Sequence, residues 1–360
     1  MRSYLDHNAT SPLRPSVKAA MLAAMAVGGN ASSVHAEGRA ARKLLDDARE
    51  KLAFWLGCLP QMMTFTSGGT EANNMALRGL DVQRVLISAV EHPSVLAAAR
   101  ASGKTVEVIP VDQNGVVRRD LLQKMLSGPR ALVSVMLANN ETGVIQPIAE
   151  IAAVVHAAGA LLHVDAVQAV GKQQVNFGLL GCDLLTVGAH KVGGPTGIGA
   201  LVIRDGLAIE PLLHGGGQEL RRRAGTENIV NVAGFAALVD EPLLKTTPLR
   251  DTLETALSDA VIFGAEAERL PNTSCLALSG FSAESLLMKY DLKGIAVSSG
   301  SACSSGKVAS SHVLAAMGTP PSEAKSAIRV SLGWNSTEAD IIHFITTTQH
   351  FIAQKKAKAA

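Results

Sequence analysis

The segment Asp183 to Gly199, DLLTVGAHKVGGPTGIG, puts His190 and Lys191 at the end of an apolar run and at the mouth of a glycine-rich loop. A lysine that follows a buried run and precedes residues allowing close backbone approach is aimed into a site. Partial desolvation favours its neutral, nucleophilic amine, so the chemistry on offer is imine formation with a carbonyl. Four other apolar runs stop in polar residues: MMTFT before SGGTEANN, VLISA near Glu91-His92, LVSVMLA at Asn139-Asn140-Glu141, and ALLHV at Asp165-Ala166-Val167-Gln168.

Each tip carries its own chemistry. Ser67-Gly68-Gly69-Thr70-Glu71 leads into a helical pattern, so unpaired amides beside the Thr70 hydroxyl could cradle a phosphate; an ordinary cap by Thr70 or Ser67 is the alternative. Asp165 could keep a heterocyclic nitrogen protonated, as an electron-sink cofactor requires, or cap the following helix. His92 could lie on an aromatic ring or shuttle a proton, or serve as a core or cap histidine. Asn140 and Gln168 offer neutral hydrogen bonds. A lysine for an imine, an aspartate for a pyridinium and a glycine-rich helix start for a phosphate together meet the requirements of pyridoxal 5′-phosphate.

The elements that must position these residues are legible as a pattern. From about residue 50 to 240, short apolar runs alternate with helical ones, which predicts an α/β fold with a mostly parallel sheet and crossover helices. Ligands sit beyond the carboxyl ends of such strands, so the five tips converge on one crevice. The chain has 360 residues, enough for a large domain and a smaller one, and its 47% hydrophobic content supplies the core. Net charge is +2, from 33 basic and 31 acidic residues, which argues against a nucleic-acid partner or an anionic membrane surface. Lys18 to Val27 is too short to span a bilayer and reads as an amphipathic helix.

A second nucleophile is suggested by Cys303, in SSGSACSSG, a run too small and polar to pack a core and therefore expected to be accessible. Cys58, Cys182 and Cys275 read as packing sulfur. The four cysteines form no CxxC pair, which argues against a disulfide framework or zinc ribbon and fits a reducing, cytoplasmic setting.

Nearly end to end, the chain resembles the class V aminotransferase-like cysteine desulfurases of the NifS/IscS type. The resemblance rests on YLDHNAT at 4–10, GNASSVHAEG at 29–38, SGGTEANN at 67–74, EHPSV at 91–95, NNETGVIQPI at 139–148 and HVDAVQAVGK at 163–172. It continues through AHKVGGPTGIG at 189–199, HGGGQE with RRAGTEN at 214–228, SSGSACSSG at 298–306 and IRVSLG at 328–333. It implies a fold type I, aspartate aminotransferase-like architecture, with a large cofactor domain over 12–238. A smaller α+β domain would combine 1–11 with 239–360 and carry the cysteine loop.

Carried over by position, the resemblance implies that Lys191 forms the internal aldimine, Asp165 pairs with the pyridine nitrogen and His92 stacks on the ring. Gln168 contacts the phenolic oxygen, and Gly69, Thr70 and His190 hold the phosphate. Thr226 reaches the phosphate of a neighbouring subunit, which implies a homodimer. Arg329 binds the substrate carboxylate, with Asn140 and Asn8 assisting. The implied reaction takes L-cysteine to L-alanine, with Lys191 and His92 moving the α-proton and the Cys303 thiolate receiving sulfur as a persulfide. The sulfur then passes to an acceptor such as an iron–sulfur scaffold protein.

Selenocysteine lyase, or a class V aminotransferase that ignores Cys303, is the alternative within the fold. A metal hydrolase using His163, Asp165, His190 and His92 lacks a recognisable ligand spacing, so no metal is expected. Two positions depart from the family pattern: Gly188 stands where a phosphate-binding hydroxyl is usual, and Gly193 replaces a common aromatic, which is expected to loosen the site wall.

Overall fold

The computed structural model describes residues 2–299 and 311–359. Its strands, in chain order, are β1 (Ser3–Tyr4), β2 (Met63–Thr66), β3 (Arg84–Ser88), β4 (Thr105–Ile109), β5 (Ala131–Ser134), β6 (Leu161–Asp165), β7 (Leu184–Gly188), β8 (Gly199–Ile203), β9 (Val261–Ile262), β10 (Thr273–Ala277), β11 (Ile295–Ala296) and β12 (Ala327–Ser331). The five apolar runs are β2, β3, β5, β6 and β7. With β4 and β8 they form a seven-stranded sheet in the order β2-β8-β7-β6-β5-β3-β4.

Only β8 runs against the others, antiparallel to both β7 and β2, so the carboxyl ends of the five runs share one edge of the sheet. Every residue of β2, β5, β6, β7 and β8 is buried, because helices cover both faces; this is why these strands read as unbroken apolar runs. The edge strand β4 exposes Thr105 and Val108, and its Glu107 accepts a hydrogen bond from Arg84 Nε at 2.8 Å.

Of the first four helices, α1 (Pro15–Met25) and α2 (Ala36–Leu56) contribute no residue to the site, whereas α3 (Gly69–Arg78) and α4 (Pro93–Arg100) both do. In α2 the buried residues Ala41, Leu45, Ala48, Leu52 and Leu56 recur at helical spacing, and Gly57 at φ 65° ends the helix. The expected helix near residue 20 exists as α1 and packs onto the main core through Val17 and Met21. Only Val17 and Ala24 are buried, while Leu22 and Met25 are exposed.

A second sheet, β12-β10-β9, is antiparallel, and β1 pairs in parallel with β11. Leu5 packs into the core beside these strands, with Leu253, Leu276, Tyr290, Val330 and Phe344. The N-terminal segment therefore starts in that core and then crosses to the tip of β7. There Ser11 N donates to His190 O and Arg14 N donates to Gly193 O, each at 2.9 Å.

Candidate active site

The strand tips and the second sheet enclose a cavity of roughly 760 Å³, into which Asn8, Gly69, Thr70, His92, Asn140, Asp165, Gln168, His190, Lys191 and Arg329 all project. Thus the structure brings together most of the residues singled out from sequence. Thr226 is exposed and does not line the cavity of its own chain. Cys303 lies outside the described residues; Ser299 and His312, from the segments on either side, line the cavity.

Lys191 sits in a short 3-10 turn just after β7. Its Nζ donates to the carbonyls of Asn8 and Ala9, each at 2.7 Å, and burial followed by the nearby Arg329 charge lowers its pKa to about 8. A tenth of the amine is then neutral near pH 7, about two orders of magnitude more than for a solvated lysine of pKa ~10.4.

Asp165 ends β6, where its Oδ1 accepts from Val167 N at 3.0 Å and its Oδ2 from Asn73 Nδ2 at 2.8 Å. The Asn73 amide also donates to Ser94 Oγ at 2.9 Å, and Ser94 Oγ lies 2.7 Å from His92 Nδ1. His92 caps α4, because its Nδ1 accepts from Ser94 N at 3.2 Å. The cap and site readings therefore hold together: with Nδ1 used as an acceptor, Nε2 carries the proton, and burial lowers the ring's pKa. Sequence reasoning did not single out Asn73, whose link between Asp165 and His92 depends on a contact between α3 and β6.

Nearby Glu91 would double the negative charge at this end were it ionised. Burial raises its pKa to about 8, although Oε1 accepts from Ser88 Oγ at 2.6 Å and from Met136 N at 2.7 Å, so it is mostly neutral at pH 7.

Among the described residues no side chain caps the start of α3, so the ordinary-cap reading of Thr70 and Ser67 fails. Gly68 has φ 149°, a Cβ there would meet nothing within 4 Å, and Glu71 occupies the amide of Ser67 rather than those of the first helical turn. The first-turn amides lack helical acceptors by geometry and lie beside the Thr70 hydroxyl, which suits a phosphate. His190, whose Nδ1 is 3.3 Å from Thr10 Oγ1, has its pKa lowered to about 4 by burial and the Lys191 charge, so it enters this cradle neutral. Together with the low-pKa lysine and Asp165, the donor set fits pyridoxal phosphate.

The opposite wall belongs to Arg329 on β12. Its NH2 group pairs with Asp6 Oδ1 at 2.6 Å and its NH1 group donates to Asn140 O at 2.9 Å, while Nε is buried with no hydrogen-bond partner among the described residues. Asn8 joins the walls: its Nδ2 donates to Thr273 Oγ1 at 2.9 Å and to Asn140 O at 3.3 Å. Asp6 and His312 also line the cavity and were missed from sequence. His312 Nε2 is held by the carbonyl of Glu91 at 2.9 Å.

The expected loosening at Gly193 is not observed. A Cβ there would lie 2.6 Å from Arg14 Cγ and 3.0 Å from Trp334 Nε1, at φ 91°, so Arg14 and Trp334 fill the space an aromatic side chain would take. Gly188 differs: its Cβ would make only ordinary contacts, 3.5 Å from Val167 Cγ1 and 3.9 Å from Gly69 N.

Among the described residues no group of His, Cys, Asp and Glu is placed to hold a metal ion. His163 is instead bound on both sides within the sheet, by Ser134 Oγ at 2.8 Å and Thr186 Oγ1 at 3.0 Å. Cys182 and Cys275 are buried, and Cys58 is half-buried with its thiol pushed up to about 12, so none of the three is a ready nucleophile.

Comparison with known proteins gives the family. The family profile described as aminotransferase class-V matches residues 3–344. A cysteine desulfurase IscS from Dictyoglomus turgidum is 40% identical over 97% of this chain and 94% of its own length. A cysteine desulfurase from Gluconacetobacter diazotrophicus is 41% identical over 98% of this chain and 93% of its own length. The X-ray structure of a NifS-like protein from Rickettsia africae superimposes with a TM-score of 0.91 at 36% identity, covering 98% of this chain and 100% of that one.

Proposed function

The chain belongs to the class-V aminotransferase family and, within it, to the cysteine desulfurases of the NifS and IscS type; from that membership we propose how its cavity divides the work. It is a pyridoxal 5′-phosphate-dependent enzyme that removes sulfur from L-cysteine and leaves L-alanine. The names of its relatives do not favour a selenocysteine lyase or an aminotransferase. The observation that carries the assignment of roles is a lysine with a pKa of about 8 sharing one cavity with Asp165, an open helix start and Arg329.

When bound, pyridoxal phosphate supplies a carbonyl carbon for an amine and a ring that takes up an electron pair once its nitrogen is protonated. Gly69, Thr70 and His190 would hold its phosphate, Asp165 would pair with the ring nitrogen, His92 would stack on the ring, and Gln168 and Asn140 would bond its substituents. Arg329 takes the carboxylate of L-cysteine, Asn140 and Asn8 orient it, and Lys191 Nζ removes the α-proton with help from His92. The Cys303 thiolate attacks the substrate sulfur. A sulfur–sulfur bond forms as the carbon–sulfur bond breaks, the carbon is protonated and leaves in alanine, and the persulfide stays on Cys303.

The same reading makes the enzyme a cytoplasmic homodimer in which Thr226 completes the partner's phosphate site. The exposed Leu22, Met25, Leu213 and Leu220 support an interface, and Leu213 and Leu220 lie close in sequence to Thr226. It also divides the chain at 12–238 and at 1–11 with 239–360, and hands the sulfur to an acceptor protein such as an iron–sulfur scaffold. No helix among the described residues is long and apolar enough to cross a membrane. The test is Cys303→Ala, assayed for alanine and for sulfide under reductant. Unchanged cofactor absorbance with loss of both products is expected, and full turnover would overturn the role of Cys303.

A further inference from the structure

Behind the cavity, Lys172 is only 2% exposed, and no ion pair engages it among the described residues. Its Nζ donates instead to two neutral oxygens, Asn8 Oδ1 and Gln168 Oε1, each at 2.6 Å. Those oxygens belong to two amide side chains that line the cavity. Burial, followed by the Lys191 and Arg329 charges, pushes the Lys172 amine well below the usual lysine range. Even uncharged, a lysine amine keeps two N–H donors, one for each oxygen, so the arrangement survives loss of the proton.

The consequence is a fixed amide orientation. With Oε1 held by Lys172, Gln168 must present Nε2 on its other side, where it donates to Asn8 O at 3.0 Å. That carbonyl is the same one that accepts Lys191 Nζ. Asn8 is fixed likewise: its Oδ1 also accepts from Asn272 Nδ2 at 3.1 Å, which leaves its own Nδ2 for Thr273 and Asn140.

We propose that Lys172 is a positioning residue that locks the Gln168 amide with its N–H groups toward Lys191, so that an anionic ring oxygen bound there meets a donor and never a carbonyl lone pair. The inference rests on the assignment of Gln168 to the cofactor's phenolic oxygen. Without the lock, the amide is free to rotate. The ring oxygen then loses about one hydrogen bond's worth of binding and holds the neighbouring imine proton more tightly.

The test is a double-mutant cycle on apoprotein titrated with pyridoxal phosphate, using Lys172→Met and Lys172→Gln in the wild-type and Gln168→Ala backgrounds. Two quantities are read: the dissociation constant, and the pH midpoint of the bound cofactor's visible absorbance. Lys172→Met should weaken binding by about tenfold and raise the midpoint by about one pH unit. Lys172→Gln, which keeps an amide donor, should recover part of both changes, and neither variant should add to the effect of Gln168→Ala.

Equal effects in the two backgrounds, or an unmoved midpoint, would overturn the proposal. So would failure of both Lys172 variants to give a folded apoprotein by circular dichroism, which would make Lys172 a support of the fold. Should Gln168→Ala alone leave binding and midpoint unchanged, the underlying assignment of Gln168 falls, and the proposal with it.

Discussion

The cofactor wall of the cavity stands on strand ends whose register the sheet fixes, whereas the substrate wall joins segments far apart in the chain. Asp165 is the last residue of one strand and Lys191 follows the adjacent one, and the pairing of Asp165 with Thr186 sets their relative height. Arg329, by contrast, is oriented by Asp6, 323 residues earlier, and by the carbonyl of Asn140. In the first wall, position follows from local sequence and sheet order. In the second it follows from hydrogen bonds that exist only once both sheets are formed, so its geometry should be the more easily altered.

Lys191 is where the contrast is most exposed, because it grows from the first wall and is held by carbonyls of the second. Lys191→Ala should lower desulfurase activity by more than about 10³-fold, while apoprotein melting changes little. Borohydride reduction of the holoenzyme followed by mass mapping should lose its adduct at residue 191. Since the neutral amine is the nucleophile, the rate of cofactor capture by wild-type apoprotein should rise with pH until about 8 and then level off. A rate still climbing tenfold per unit above pH 9 would show that the cavity does not lower this pKa.

Arg329→Ala should separate the walls, raising KM for L-cysteine by about 10²-fold with the cofactor's dissociation constant unchanged. Coupled loss of cofactor affinity would erase the distinction. Asn73→Ala probes the other side: cutting the Asp165–Asn73–Ser94–His92 chain should weaken cofactor binding by about tenfold and leave KM nearly untouched. Spectrofluorimetric titration and steady-state kinetics on the same preparations check both.

The unequal construction also explains what the sequence could reveal. Lys191, Asp165 and the Gly68-Gly69 helix start each carry a local signature, an apolar run ending in a polar residue or a glycine pair before a helix. Asn73, Asp6 and Lys172 carry none, since each matters through its partner: Asp165, Arg329 and Gln168 respectively. The direction of β8 was equally hidden, because a strand buried on both faces is apolar whichever way it runs. Gly193 misled for a related reason, as the side chains that fill its space come from Arg14 and Trp334.

Gly188 offers the smallest and most diagnostic change, a gain confined to the cofactor wall. It ends β7 beside the phosphate cradle, its backbone lies outside the left-handed region, and a Cβ would touch Val167 at 3.5 and 3.7 Å, ordinary contact distances. A serine there should therefore fit without strain, and its hydroxyl would start from a Cβ 3.9 Å from Gly69 N, close enough to meet a phosphate oxygen held on the first turn of α3. One added hydrogen bond to a charged group in a preformed cradle corresponds to about 1 kcal/mol, so Gly188→Ser should tighten pyridoxal phosphate binding by about fivefold. KM for L-cysteine should stay constant, because nothing in the Arg329 wall moves. If the serine instead loosens the cofactor, the phosphate does not sit on the first turn of α3, and the cofactor wall is built around a different anchor from the one its strand ends define.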